Sequence, residues 1–252
     1  MSSSMSPTTK PSPPKPSRLA VLLLLSCAGL TACRTPPPPP RPLTYESIQE
    51  AKRVVVERQQ QVRAVQAECE IRIYPADEPQ KSHGFDGAVV YQSPDQFRLR
   101  TWKLTQTLFD LTVTPEGTWV MVSDQLTDRL PKAESDLAQL ADHLPLLLRG
   151  PDFSDAEFSG RTAGPLHARW DRGSAELDPM TLTPTSYYFD PGDGEPPISV
   201  NTTYGSYDGQ LWYHRVIIAG EFGSADLTFR DVKVNQPLNP RAFRPPRRAV
   251  AQ

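Results

Sequence analysis

The amino-acid sequence predicts an α+β domain in which a strongly curved antiparallel sheet of about eleven strands forms an unclosed half β-barrel, with helices covering its concave face. Three observations point there. Apolar and polar residues alternate over most of residues 69–232, the period of a half-buried strand. Only two stretches carry the helical period, and they do not alternate with strands as a parallel βαβ fold requires. A sheet this wide encloses more space than two helices can fill, so it must curve back on itself. The 252 residues are 38% hydrophobic and 22% charged, sufficient for a core.

At the amino terminus, residues 1–32 carry Lys10, Lys15 and Arg18 and no acid, followed by the apolar run Leu19 to Leu25. A basic flank and an apolar stretch too short to cross about 30 Å of hydrocarbon describe a secretory signal peptide. Leu30-Thr31-Ala32-Cys33 resembles the lipobox of bacterial lipoproteins. That resemblance implies cleavage before Cys33, lipidation of its thiol and acylation of the new amino terminus with a fatty acid such as palmitate. Leu24-Leu25-Ser26-Cys27 is a second candidate box, but a cut there would truncate the apolar core. Burial of each CH₂ gains about 0.8 kcal/mol, so two or three chains hold the protein stably on its membrane. In the resembled lipoproteins an Asp after the lipidated Cys retains them at the inner membrane. Here Arg34 stands in that place, which implies the outer membrane, facing the periplasm.

Eleven of the 28 prolines precede position 43, so this part is separate from the fold. Residues 33–42 read as the lipidated Cys33 and a polyproline spacer, which at ~3.1 Å per residue holds the body about 25 Å off the bilayer. The folded domain reads as 43–246, with a basic tail at 247–252. Thr44 can cap a helix from Tyr45 to Gln66, with Ile48, Ala51, Val55, Val62 and Val65 on one stripe. Strands then follow at Cys69-Ile71-Ile73, Phe85 to Tyr91, Phe97-Leu99 and Phe109 to Val113. Ser93-Pro94-Asp95 and Thr114 to Gly117 supply turns between them. Trp119 to Val122 and Leu126 to Leu130 extend the sheet. A second helix, Asp136 to Arg149, carries Leu137, Leu140, Leu144, Leu147 and Leu148 and is kinked or split by Pro145. Strand patterns resume at 166–170, 175–177, 185–190, 198–204, 211–218 and 225–232, with turns at 205–209 and 220–223.

Phe97, Leu99, Phe109, Leu111, Val113 and the later aromatic strands line the concave face in this reading. They form either an apolar cavity for an acyl chain or a solid core, and periodicity fits both. Cys69 falls on an inward strand face as a buried, inert thiol; with Cys33 acylated, no intramolecular disulfide is available.

Charge and motif content narrow the function classes. Lys plus Arg number 27 against 29 acids, and removal of residues 1–32 takes the formal charge from −2 to −5, so nucleic acid is not an expected partner. His83, His143, His167 and His214 are isolated, so no metal is expected. Gly205 to Gly209 lacks the spacing of a nucleophile elbow, and Asp190 to Glu195 reads as Asx turns. No cofactor and no catalysis are expected. The arginines at 241, 244, 247 and 248 read as a solvated tail.

Two runs carry a resemblance. One is Gly87-Ala-Val-Val-Tyr91-x-Ser93-Pro94-Asp95-x-Phe97-Arg98-Leu99-Arg100, followed by Phe109 to Val120; the other closes the domain, Asp231-Val232 to Phe243-x-Pro245. Their order resembles the lipoprotein-localisation carriers and receptors LolA and LolB. The resemblance implies an eleven-stranded unclosed barrel with a helical lid and a cavity for the acyl chains of a lipid or lipoprotein. It departs at Ser93, where the carrier has a basic residue, and at the polar loop Pro75 to Ser82, where the receptor has an apolar tip. The expected protein is a monomeric envelope lipoprotein that binds such chains. A scaffold lipoprotein with a solid core and other envelope proteins as partners is the alternative.

Overall fold

The computed structural model describes residues 35–129, 143–162, 164–192, 194–246 and 250–251. Cys33, Cys27 and the signal peptide lie outside the described residues, as do residues 136–142 of the second expected helix and most of the basic tail. The chain divides into two compact units, 1–36 and 37–252. Only Thr35 and Pro36 of the first are described, without regular structure. Every described core residue lies in the second, which therefore has what it needs to fold as a body.

The described residues of that unit form one antiparallel sheet of thirteen strands and three helices. Helix α1 (Ile48–Gln61) precedes a meander of β1 (Ala64–Pro75), β2 (His83–Gln92), β3 (Gln96–Lys103), β4 (Gln106–Thr114) and β5 (Gly117–Val122). Two short helices, α2 (Asp124–Arg129) and α3 (Leu144–Arg149), lead to a second meander. It runs through β6 (Glu157–Gly160), β7 (Leu166–Trp170), β8 (Gly173–Leu177), β9 (Pro184–Phe189), β10 (Ile198–Tyr207), β11 (Gln210–Gly220) and β12 (Gly223–Val234). Strand β12 returns to pair with β1, joining the meanders through their two longest strands, and β13 (Val250–Ala251) pairs with the outer edge of β5. The order β13-β5-β4-β3-β2-β1-β12-β11-β10-β9-β8-β7-β6 leaves β13 and β6 unpaired with each other, so the half-barrel is unclosed as expected. The sheet has thirteen strands against the expected eleven or so: β6 and β13 are added, and the Leu126 stretch is not a strand.

Register explains the alternation. Ala67, Val89, Leu99, Leu111 and Val120 stand opposite one another across five strands, all buried. In the next row Cys69 faces Gly87, which faces Thr101; a Cβ on Gly87 would meet Cys69 Sγ at 3.0 Å and the Arg100 carbonyl at 3.1 Å. Cys69 is fully buried and free, and burial pushes its thiol up to about 12, out of reach of ordinary redox chemistry. The β10–β11 hairpin closes through Asp208-Gly209 with φ of 50° and 80°, the two-residue turn that matches strand twist.

Three expectations change. Helix α1 is shorter than expected at both ends: Ser47, not Thr44, caps it, its Oγ accepting from Glu50 N at 3.2 Å while Glu50 Oε2 accepts from Glu46 N at 2.7 Å. The Leu126 stretch is helical rather than a strand, because Ser123 caps it through Oγ to Leu126 N and Asp124 complements its first turn. The proline run is not a free spacer along its whole length. The Pro38 carbonyl accepts from Ser206 N at 2.9 Å, Leu43 N donates to Met180 O at 2.7 Å, and Pro37 lies against Gly205.

An aromatic-walled cavity under the lid

The Leu-rich segment ends in α3, where Leu144, Leu147 and Leu148 are buried and Pro145 occupies the first turn, a position where its missing N–H costs nothing. Gly150 terminates the helix at φ 85° and ψ 163°, and residues 150–154 then cross over the sheet toward α1. Side chains of α1 fasten this segment: Gln59 Nε2 donates to Pro151 O at 2.6 Å, Gln59 Oε1 accepts from Phe153 N at 3.3 Å, and Lys52 Nζ donates to Ala156 O at 2.7 Å. From the far side, Arg149 Nη1 donates to the Pro94 carbonyl in the β2–β3 turn at 3.2 Å. A cation therefore meets this turn from the lid, although the turn's own residue is Ser93.

Beneath lies a cavity of about 320 Å³, at the lower end of small-molecule sites. Its floor is aromatic. Tyr91 of β2 stacks on Trp212 of β11 at 6.2 Å between ring centroids, Trp212 meets Tyr213 edge-on at 5.1 Å, and Tyr204 of β10 lies 4.8 Å from Tyr213. Both Trp212 and Tyr213 are buried although adjacent in a strand. The register shift at Thr203/Tyr204 explains this: it leaves His214 as an extra residue on β11 and breaks the alternation there. Val55, Val56 and Val62 from α1 and β1's approach, Leu182 and Leu211 complete the apolar wall.

Polar and charged groups stand around this apolar floor, among them Arg58, Gln59, Gln60, Arg149 and Asp152. The Tyr213 hydroxyl hydrogen-bonds with those of Tyr187 and Tyr204, and Tyr187 Oη donates to the Leu147 carbonyl, tying lid to sheet. Burial drives all three phenols above their usual range, those of Tyr187 and Tyr204 well above it. They are neutral hydrogen-bonding groups and not bases. Trp212 Nε1 is buried without a hydrogen-bond partner, a donor that an acceptor within the cavity would satisfy.

The predicted lining residues stand elsewhere. Phe97, Leu99, Phe109 and Leu111 are buried and Val113 half-buried; β3–β4 register pairs Phe97 with Val113 and Leu99 with Leu111, so all five share one face. None of them lines the 320 Å³ cavity. The later aromatic strands do. Among the described residues the exposed large apolar side chains are Leu104 at the tip of the β3–β4 hairpin, Met180 and Tyr188.

The fold is shared with a DUF1329 family protein. That protein, from Desulfovibrio piger, superposes with a TM-score of 0.56 at 11% identity, over 79% of this chain and 98% of its own. A LolA superfamily protein from Nitrosomonas europaea matches with a TM-score of 0.49 at 12% identity, over 76% of this chain and 96% of its own. A domain assigned to outer membrane lipoprotein sorting, from Vibrio parahaemolyticus, matches with a TM-score of 0.47 at 14% identity, over 79% and 97%. No family model matches the sequence, and no curated protein does.

Proposed function

We propose that this protein is a lipid-anchored envelope protein that holds an acyl chain of a lipid or lipoprotein in the cavity under the lid, and serves lipoprotein localisation or lipid handling without catalysis. The observation that carries the reading is the cavity itself, a 320 Å³ space walled by Tyr91, Tyr204, Trp212, Tyr213 and aliphatic side chains inside a half-barrel. Such a wall binds by area, at about 25 cal/mol per Å² of apolar surface removed from water, with little demand on direction. The unpartnered Trp212 N–H supplies a directional contact, for which an ester or amide carbonyl at the end of a chain is a fitting acceptor. Acylation at Cys33 would keep the cavity at the membrane that supplies its ligand.

Native mass spectrometry of residues 35–252, purified from cells without refolding, tests this. A bound mass that extracts as a phospholipid or acyl peptide is expected, and Val56→Glu, which puts a charge on the wall, should lose it. A protein that is empty and also refuses a fluorescent fatty acid would leave the scaffold reading in its place.

A further inference from the structure

Beside the acyl cavity lies a second of about 430 Å³, lined by Arg41, Leu43, Arg58, Gln61, Gln210, Leu211 and the Ser206–Gly209 end of the β10–β11 hairpin. Arg58 and Leu211 belong to both walls, so the two spaces adjoin. Their chemistry differs. The first is floored by aromatic rings, with Arg58, Arg149 and Asp152 also in its lining; the second has no aromatic residue and presents two guanidinium groups, amides and a hydroxyl. No carboxylate lines it, and Asp208, which adjoins Gly209 in the chain, is not part of the wall.

Neither arginine is neutralised. Among the described residues no ion pair contains Arg41 or Arg58, whereas Arg53, Arg72, Arg98, Arg215 and Arg230 all have carboxylate partners. Arg58 is half-buried and bonds a single backbone oxygen, Thr181 O at 2.6 Å, which leaves most of its donors for another acceptor. A partly desolvated cation without an ion-pair partner, set where an aromatic-floored space meets one lined by cations and amides, suits an anion attached to an apolar chain. Arg41 joins the lining of the second cavity because the docked proline run is held there through the Pro38–Ser206 and Leu43–Met180 bonds.

We propose that the ligand is an anionic amphiphile, its chain in the aromatic cavity and a phosphate-like head between Arg41 and Arg58. This rests on the acyl-chain reading above and adds the class of head group. The proline run then acts twice, completing the head-group site as well as linking anchor to body.

Residues 35–252 are titrated with dodecyl phosphate, dodecanol and inorganic phosphate, followed by tryptophan fluorescence at low and high ionic strength. Dodecyl phosphate is expected to bind about tenfold or more tightly than dodecanol, the worth of one charge-assisted contact. Salt should shrink that preference. The double variant R41Q/R58Q should lose most of that preference. Because Arg58 also holds a backbone carbonyl, Arg41→Gln alone, at an exposed side chain, is the second variant: reduced preference with an unchanged melting temperature is expected. Equal affinity of the unsubstituted protein for dodecanol and dodecyl phosphate, or a preference that survives both variants, overturns the head-group site and leaves the acyl-chain reading standing. Failure of both probes to bind overturns the two together. Inorganic phosphate binding as tightly as dodecyl phosphate makes a free anion the ligand and overturns the amphiphile.

Discussion

Gly150 occupies φ 85° and ψ 163°, a conformation essentially closed to residues with a side chain, and a Cβ there would stand 2.5 Å from the Tyr213 hydroxyl. Gly150→Ala should therefore destabilise by about 1–3 kcal/mol from the backbone alone, with more from displacing Tyr213. Gly209→Ala, at φ 80° with open space around the new Cβ, should cost only about 1–2 kcal/mol. Denaturant midpoints of the two variants check the ordering. The tyrosines around Gly150 give a pH signature. Their folded pKa values lie above the unfolded value of about 10, so the stability they contribute is complete below pH ~10 and is lost as pH rises from there through the folded values. Of eight tyrosines, Tyr187 and Tyr213, each 2% exposed, should give phenolate absorbance only together with the loss of tertiary circular dichroism. Phenolate appearing in the intact fold would refute their burial. Little of this was legible in the sequence. Tyr204 on one run and Trp212 and Tyr213 on the next read as aromatic strands, but the bulge that turns both Trp212 and Tyr213 inward depends on pairing between β10 and β11, which single-chain periodicity does not encode.

The order of elements was legible because one sheet face is buried and most strands alternate over most of their length. Their ends were not, where a side-chain cap decides: Ser47 rather than Thr44 begins α1, and Ser123 turns an apparent strand into α2. Nor was the reason why two distant runs resemble one family together. Arg98, in the first run, forms a two-point pair with Asp110 at 2.9 and 2.7 Å and donates to the Ala242 carbonyl, in the second, at 2.7 Å. Asp110 is 2% exposed, so the closing segment is pinned to β3 and β4 through a buried charge. Asp110→Ala strands the Arg98 cation and should cost about 3–5 kcal/mol. The more exposed Arg215–Asp226 pair, at a similar 2.6 Å, should cost no more than about 1 kcal/mol when broken by Asp226→Ala. Chemical denaturation of both variants tests the contrast, and faster amide exchange over residues 236–246 in the first alone would locate it.

At the scale of the molecule, the cavity draws one wall from each meander: Tyr91 from β2 on one side of the β1–β12 junction, and Tyr204, Trp212 and Tyr213 from β10 and β11 on the other. The β3–β4 face is packed, with Phe97, Leu99, Phe109 and Leu111 each at most 5% exposed, and none of these four lines the cavity. A ligand should thus tighten one region and leave the other unchanged. At a hundred times its dissociation constant it adds about 2.7 kcal/mol of stability, which for a domain of this size raises the melting temperature by roughly 5–10 °C. Hydrogen exchange with dodecyl phosphate bound should show new protection in α1, in residues 149–154 and in the β10–β11 hairpin, and none in β3 to β5. Protection confined to β3–β5 would move the ligand to the face that periodicity first suggested, and uniform protection would mean that the chain is gripped by the whole concave surface. The division into a packed half and a hollow half predicts the first pattern, because only contacts that form on binding can slow local opening beyond the global term.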